Sequence, residues 1–152
     1  MIAVIITLLL AMLLDIGLLP SLSAYLPEWT LLVTIYWVLY LPLRINIGLA
    51  WSIGLCMDIL HDTSMGVYAL CYLVSAMIIY LFHQRVRYYP LWQQCLVIFS
   101  ISMLVQLIAL WFRTEAPLAS GVLSYFIMPV SNAFLWPLVA ELLLRTRQRF
   151  QI

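Results

Sequence analysis

The sequence contains no lysine and few charged residues of either sign. Of its 152 residues only 9% are charged, the seven basic residues are all arginines, and the formal net charge is +1. Soluble domains carry about 25% charged residues, so a hydrophobic content of 66% and a mean hydropathy of +1.10 exclude that class. Without a run of basic residues, the chain also lacks the signature of a nucleic-acid-binding protein. These features predict an integral membrane protein.

Paired cysteines and catalytic motifs are missing as well. Cys56, Cys71 and Cys95 are far apart, form no CxxC pair, and each lies in an apolar run. We interpret them as small buried apolar residues without a redox role. The sequence also lacks an HExxH zinc motif, a phosphate-binding glycine loop and a nucleophile elbow. It therefore gives no positive indication of an enzyme, a cofactor or a metal site.

Long hydrophobic runs are what the chain does contain. A helix needs about 18 to 20 residues to cross the hydrocarbon core of about 30 Å. We predict one all-α domain over residues 1–152, a six-helix transmembrane bundle with spans at 2–19, 29–41, 45–60, 66–82, 91–112 and 122–144. The second and third segments are short and would also suit a re-entrant hairpin. That arrangement would leave Arg44 inside the membrane, so we favour two short full spans.

The arginines predict the orientation of these spans. Arg44 follows the second segment, Arg85 and Arg87 follow the fourth, and the sixth is followed by a tail with Arg145, Arg147 and Arg149. On the other side, the loops contain only Arg113. Because basic loops stay in the cytoplasm, the pattern places both termini there. The first segment has no basic residue before it and contains Asp15, unlike a signal peptide, so we expect it to be retained as a membrane anchor.

Asp15 and Asp58 are the most informative polar residues within the apolar runs. A carboxylate in a spanning helix costs up to about 3 kcal/mol at the bilayer centre, so each should face protein or water. One hypothesis makes them an ion relay or a catalytic pair. The other makes them helix caps, or partners of Arg113 or of a basic group on another protein. His61 and Asp62 follow closely, but they supply too few donors for a dedicated metal site.

Small and amide residues indicate helix contacts. Gly48, Ser52 and Gly54 offer close-packing surfaces in the third segment, either within the chain or against another membrane protein. In the last segment, Pro129 and Pro137 remove backbone donors, and Asn132 lies between them. We expect the Asn132 side chain to hydrogen-bond to the backbone freed by these prolines.

Several short stretches, in order along nearly the whole chain, resemble one protein family. They are Pro27-Glu28-Trp29, Tyr36-Trp37, the run from Leu41 to Gly48, Asp58 followed by Gly66, Leu91-Trp92-Gln93-Gln94, Asn132 through Trp136-Pro137, and the tail from Arg145 to Phe150. Together they resemble the bacterial rod shape-determining protein MreD family. No single stretch is a catalytic motif, so the likeness depends on their order and spacing.

The resemblance implies a non-enzymatic inner-membrane component of the cell-elongation (rod) complex that helps organise peptidoglycan synthesis. Its implied partners are MreC, the MreB filament, RodA, a class B penicillin-binding transpeptidase and membrane lipids. It also implies a fold similar to the S-component of energy-coupling factor transporters. That fold leaves a rival open, a small-molecule-binding subunit or transporter. The rival predicts a cavity near the outer face, lined by Asp15, Asp58, Tyr68 or Trp51.

Overall fold

All the regular secondary structure in the described part of the chain is helical. A computed structural model describes residues 2–17, 27–42, 45–61, 66–112 and 124–149. Within them lie six helices and no strand: α1 (Ile2–Gly17), α2 (Trp29–Tyr40), α3 (Ile47–Leu60), α4 (Val67–Val86), α5 (Leu91–Phe112) and α6 (Ser124–Arg149). The all-α prediction is therefore confirmed. The predictions for Arg44, Asp62 and Arg113 lie outside the described residues.

The helices differ in their capacity to cross a membrane. By length and composition, α4, α5 and α6 are each long and apolar enough to span one. The other three are apolar but shorter, and α2 has only 12 residues. At 1.5 Å per residue α2 is about 18 Å long, well short of the hydrocarbon core of about 30 Å. A helix this short needs protein around it where it ends.

Helix α2 obtains that protection by lying in the centre of the bundle. Every residue from Thr30 to Leu39 is buried, and the helix packs against α1, α4 and α6. Its sequence is apolar on all sides, as expected for a helix surrounded by protein. Tyr36 and Trp37 fill the core, where the ring centroids of Tyr36 and Trp136 are 6.5 Å apart.

Helix α4 is the second central element and joins α2 to the rest of the bundle. It packs against α2, α3 and α5, whereas α5 pairs with α6. In contrast, α3 packs mainly on α4, and α1 mainly on α2. These two helices therefore lie at the edges of the bundle, and much of their surface does not face the chain.

Two helices extend past the apolar runs predicted from the sequence. Helix α4 continues beyond 82 to Val86, and α6 continues beyond 144 to Arg149. Arg85 and the last arginines are thus helical and do not form a loop or a separate tail. Basic side chains in a last turn interact favourably with the carbonyl end of the helix, which stabilises such extensions. Helix α6 also runs without interruption through Pro129 and Pro137.

Candidate functional site

Asp15 caps the first turn of α2. Its two carboxylate oxygens accept hydrogen bonds from the backbone N–H groups of Trp29 (3.0 Å) and Thr30 (2.9 Å). These N–H groups have no partner within their own helix, because the first turn of any helix leaves its donors unpaired. The negative charge also lies at the positive end of the α2 dipole. A carboxylate in an apolar helix is thereby satisfied by backbone.

Asp58 has the same arrangement at α4, with more bonds. Its carboxylate accepts hydrogen bonds from the backbone N–H groups of Gly66 (3.0 Å), Tyr68 (2.9 Å) and Ala69 (3.1 Å). The Asp58 residue is only 2% exposed. Gly66, the residue before α4, has φ = 104°, a backbone conformation that favours glycine. The carboxylate is thus fixed to the fold and does not face an open cavity.

Asn132 completes the N-terminal end of α2, and here the sequence-based expectation was wrong. Its side-chain oxygen accepts a hydrogen bond from the backbone N–H of Glu28 at 3.1 Å. Its amide nitrogen donates to the Ser102 hydroxyl at 3.0 Å. We expected Asn132 to bond to the backbone freed by the prolines of α6. It instead joins α6 to α2 and α5, because the backbone N–H of Glu28, just before α2, and the Ser102 hydroxyl of α5 lie within reach. We call Asp15, Asp58 and Asn132 the cap end of the bundle.

The small residues of α3 divide between two faces. A Cβ built at Gly54 would lie 2.5 Å from Cα of Ala69 and 2.8 Å from the carbonyl oxygen of Tyr68. Only glycine allows this approach between the backbones of α3 and α4. A Cβ at Gly48 would meet no atom within 4 Å among the described residues. Ser52 is likewise exposed and donates its hydroxyl to the Gly48 carbonyl at 3.0 Å.

The exposed face of α3 is small in its centre and apolar around it. Gly48, Ser52 and Cys56 are all exposed and follow each other at four-residue spacing, which aligns them along one side of the helix. The expectation that Cys56 is buried was therefore wrong. Trp51 is 45% exposed and Ile59 is 70% exposed. We call these five residues the α3 outer face. Small residues at this spacing allow another helix to approach closely.

The basic residues gather at the opposite end of the bundle. The guanidinium carbons of Arg87 and Arg147 lie 5.6 Å and 5.4 Å from the centroid of the Tyr40 ring. Both distances suit cation–π contacts, so the C-terminal ends of α2, α4 and α6 lie together. Arg145 pairs with Glu141 one turn earlier in α6. We call this the basic end, formed by Arg85, Arg87, Arg145, Arg147 and Arg149.

Sequence reasoning did not single out the polar contact that holds α4, α5 and α6 together. Gln94 is 4% exposed and accepts a hydrogen bond from Nε1 of Trp136 at 3.1 Å. Its amide nitrogen donates to the carbonyls of Val86 (3.3 Å) and Tyr89 (3.1 Å), where α4 ends. The sequence does indicate such a contact, because an amide side chain within an apolar helix needs a hydrogen-bond partner.

The residues proposed for a small-molecule cavity have other surroundings. Asp58 is committed to three backbone N–H groups, whereas Trp51 is nearly half exposed on α3. Tyr68 stacks on His61 with ring centroids 5.2 Å apart. Among the described residues, no group of three or more His, Cys, Asp or Glu is placed to hold a metal ion.

Comparison with known proteins identifies the family. Residues 1–146 match the family model described as rod shape-determining protein MreD. The chain belongs to the MreD family. It is also 30% identical over 130 residues to "Rod shape-determining protein MreD" of Haemophilus influenzae, covering 83% of this chain and 78% of that protein. No solved structure matches the chain. Similarity of this MreD-family chain to transporter S-components therefore stays a prediction.

Membership of the MreD family and the long apolar helices agree on the class of protein. The chain is a rod shape-determining, helical membrane protein. The polar side chains of Asp15, Asp58 and Asn132 accept hydrogen bonds from backbone N–H groups of the chain itself. These three side chains therefore hold the helices of the chain together.

Proposed function

We propose that the chain is a non-enzymatic, multi-pass component of the bacterial inner membrane that holds the rod complex together. On this proposal it crosses the membrane six times, with both termini and the basic end in the cytoplasm. It maintains cell shape by docking MreC, and through the complex it is linked to MreB, RodA and a class B penicillin-binding transpeptidase. Lateral peptidoglycan synthesis is organised by these contacts and not by chemistry within the bundle.

The observation that carries this proposal is the division of α3 into two faces. Its inner face is closed onto α4 at Gly54, where no Cβ fits. Its outer face presents Gly48 and Ser52 with apolar residues around them. Because lipid tails are as apolar as leucine, exposed small residues favour a second helix, which gains van der Waals contact by close approach. A single spanning helix such as that of MreC suits this face.

The proposal is tested by photo-crosslinking in intact membranes. A photoreactive amino acid is placed at Ser52 or Ile59 on the α3 outer face, and the crosslinked products are identified by mass. Phe134 on α6, which is 83% exposed, is the matched control for general exposure to the membrane. We expect MreC adducts from both α3 positions and few from Phe134. Adducts only with lipid, or equal MreC yields from all three positions, would contradict docking on α3.

A further inference from the structure

An apolar cleft lies between α4 and α5 close to the basic end. Its volume is about 180 Å³, and the side chains of Ile78, Phe82 and Val97 line it together with Arg85 and Tyr89. From Ile78 to Arg85 the cleft follows α4 for about two turns, or about 10 Å. Phe82 is 52% exposed and Tyr89 is 39% exposed, so the cleft opens to the surface of the bundle.

The open cleft has a positive charge at one end. Arg85 is exposed, and no acidic side chain of the described residues forms an ion pair with it. Glu141, which belongs to the same end of α6 as the basic tail, is already paired with Arg145. The N-terminal end of α5, starting at Leu91, adds the positive end of a 22-residue helix dipole beside Tyr89. The carbonyl end of α4 lies at the same place and opposes this dipole, so the attraction for an anion comes from the guanidinium group of Arg85.

The shape of the cleft restricts what accompanies that anion. Pockets for drug-sized ligands usually measure about 300 to 1,000 Å³, so an apolar cleft of about 180 Å³ suits a segment of hydrocarbon chain. Exposed Tyr88 and Trp92 lie next to it in sequence, and such rings favour the level of the lipid headgroups. An apolar slot that ends in an unpaired arginine at this level fits a molecule with an acyl chain and an anionic head.

We propose that the cleft between α4 and α5 binds one anionic glycerophospholipid. One acyl chain lies against Ile78, Phe82 and Val97, and the phosphate is held by Arg85 with the Tyr89 hydroxyl within the same site. This site is separate from the α3 outer face, and it stands whether or not MreC docks there. Occupancy of the cleft would then follow the anionic lipid content of the surrounding membrane.

The preference of the cleft for an anionic headgroup is tested by native mass spectrometry. The full chain is purified and supplied with equal amounts of phosphatidylglycerol and phosphatidylethanolamine. We expect one phosphatidylglycerol to be retained about fivefold over the zwitterionic lipid, the factor that one basic residue contributes at a membrane surface. Arg85→Gln should remove this preference. Arg149→Gln, which deletes the same charge from the exposed end of α6, should keep it. Equal losses in both variants would overturn the proposal in favour of diffuse surface charge.

Binding of the acyl chain is tested by substitutions that fill the cleft with a larger side chain. Val97→Phe should lower retention of the lipid severalfold, whereas Leu96→Phe, on a neighbouring side chain that is 57% exposed and outside the cleft, should not. Water-soluble glycerol phosphate should fail to compete, because it lacks the chain. Competition by glycerol phosphate, or equal retention by the two phenylalanine variants, would contradict a lipid site. Intrinsic tryptophan fluorescence on heating checks that all variants remain folded.

Discussion

The pairs α1–α2 and α3–α4 are both joined by an aspartate cap, but the two caps differ in burial and in the number of hydrogen bonds. In α1 and in α3, an aspartate stands two residues before the end of the helix and caps the first turn of the next one. Asp15 is half-buried and accepts two N–H groups, whereas Asp58 is buried and accepts three. The cap at Asp58 is joined by a close backbone approach at Gly54, one turn earlier.

The difference reflects what else holds each pair. Helix α2 lies in the centre of the bundle, where α4 and α6 support it and Asn132 satisfies a further N–H at its start. Helix α3, in contrast, packs mainly on α4. The seam through Gly54 and Asp58 must therefore hold α3 in place, which leaves the opposite side of α3 available to a partner.

Removing each carboxylate should show the largest difference between the two pairs. Asp58→Ala leaves three backbone donors unpaired, so we expect a loss of about 3 kcal/mol in the free energy of unfolding, at about 1 kcal/mol per donor. Asp15→Ala leaves two donors in a less buried setting, and we expect a loss of about 1 to 2 kcal/mol. Unfolding of the purified protein by SDS in mixed micelles measures both. Equal losses would show that the two caps do not differ as their geometry indicates.

A smaller effect should separate the two faces of α3. Gly54→Ala forces the backbones of α3 and α4 apart, and we expect it to cost about 2 kcal/mol, as overpacking of a tight interface does. Gly48→Ala adds the same methyl group in open space and should be neutral or stabilise the helix by up to about 1 kcal/mol. The same unfolding assay compares them. If Gly48→Ala were as harmful as Gly54→Ala, the assignment of faces would be wrong.

How far the sequence could predict these features depends on where their causes lie. Apolar runs predict the six helices because each helix satisfies its own backbone, whatever surrounds it. They do not predict that α4 reaches Val86 or that α6 reaches Arg149, since the last turns depend on capping and charge and not on hydropathy.

The contacts were harder to predict than the helices. In Gly48 and Gly54 the sequence offers two similar residues, and α3 is too uniformly apolar for its period to show which one faces inward. For Asn132 the bonded groups come from α2 and α5, far away in the chain, so local reasoning about the nearby prolines led to the wrong partner. The sequence predicts that Asp15 and Asp58 need partners, but it does not predict which backbone groups these partners are.

The role assigned to Asp15 and Asp58 is structural, since each carboxylate caps the helix that follows it. The direct measurement combines Asp15→Asn and Asp58→Asn in cells lacking their own copy of the protein. Expression is adjusted so that the amount of folded protein in the membrane matches wild type, and cell shape is recorded. Asparagine retains one acceptor oxygen but cannot ionise.

If both carboxylates act only through the fold, cells with matched folded protein should keep their rod shape, and any defect at lower expression should follow the loss of folded protein. Round cells despite a normal amount of folded double variant would contradict it. That result would assign the two carboxylates a role in ion transfer or chemistry.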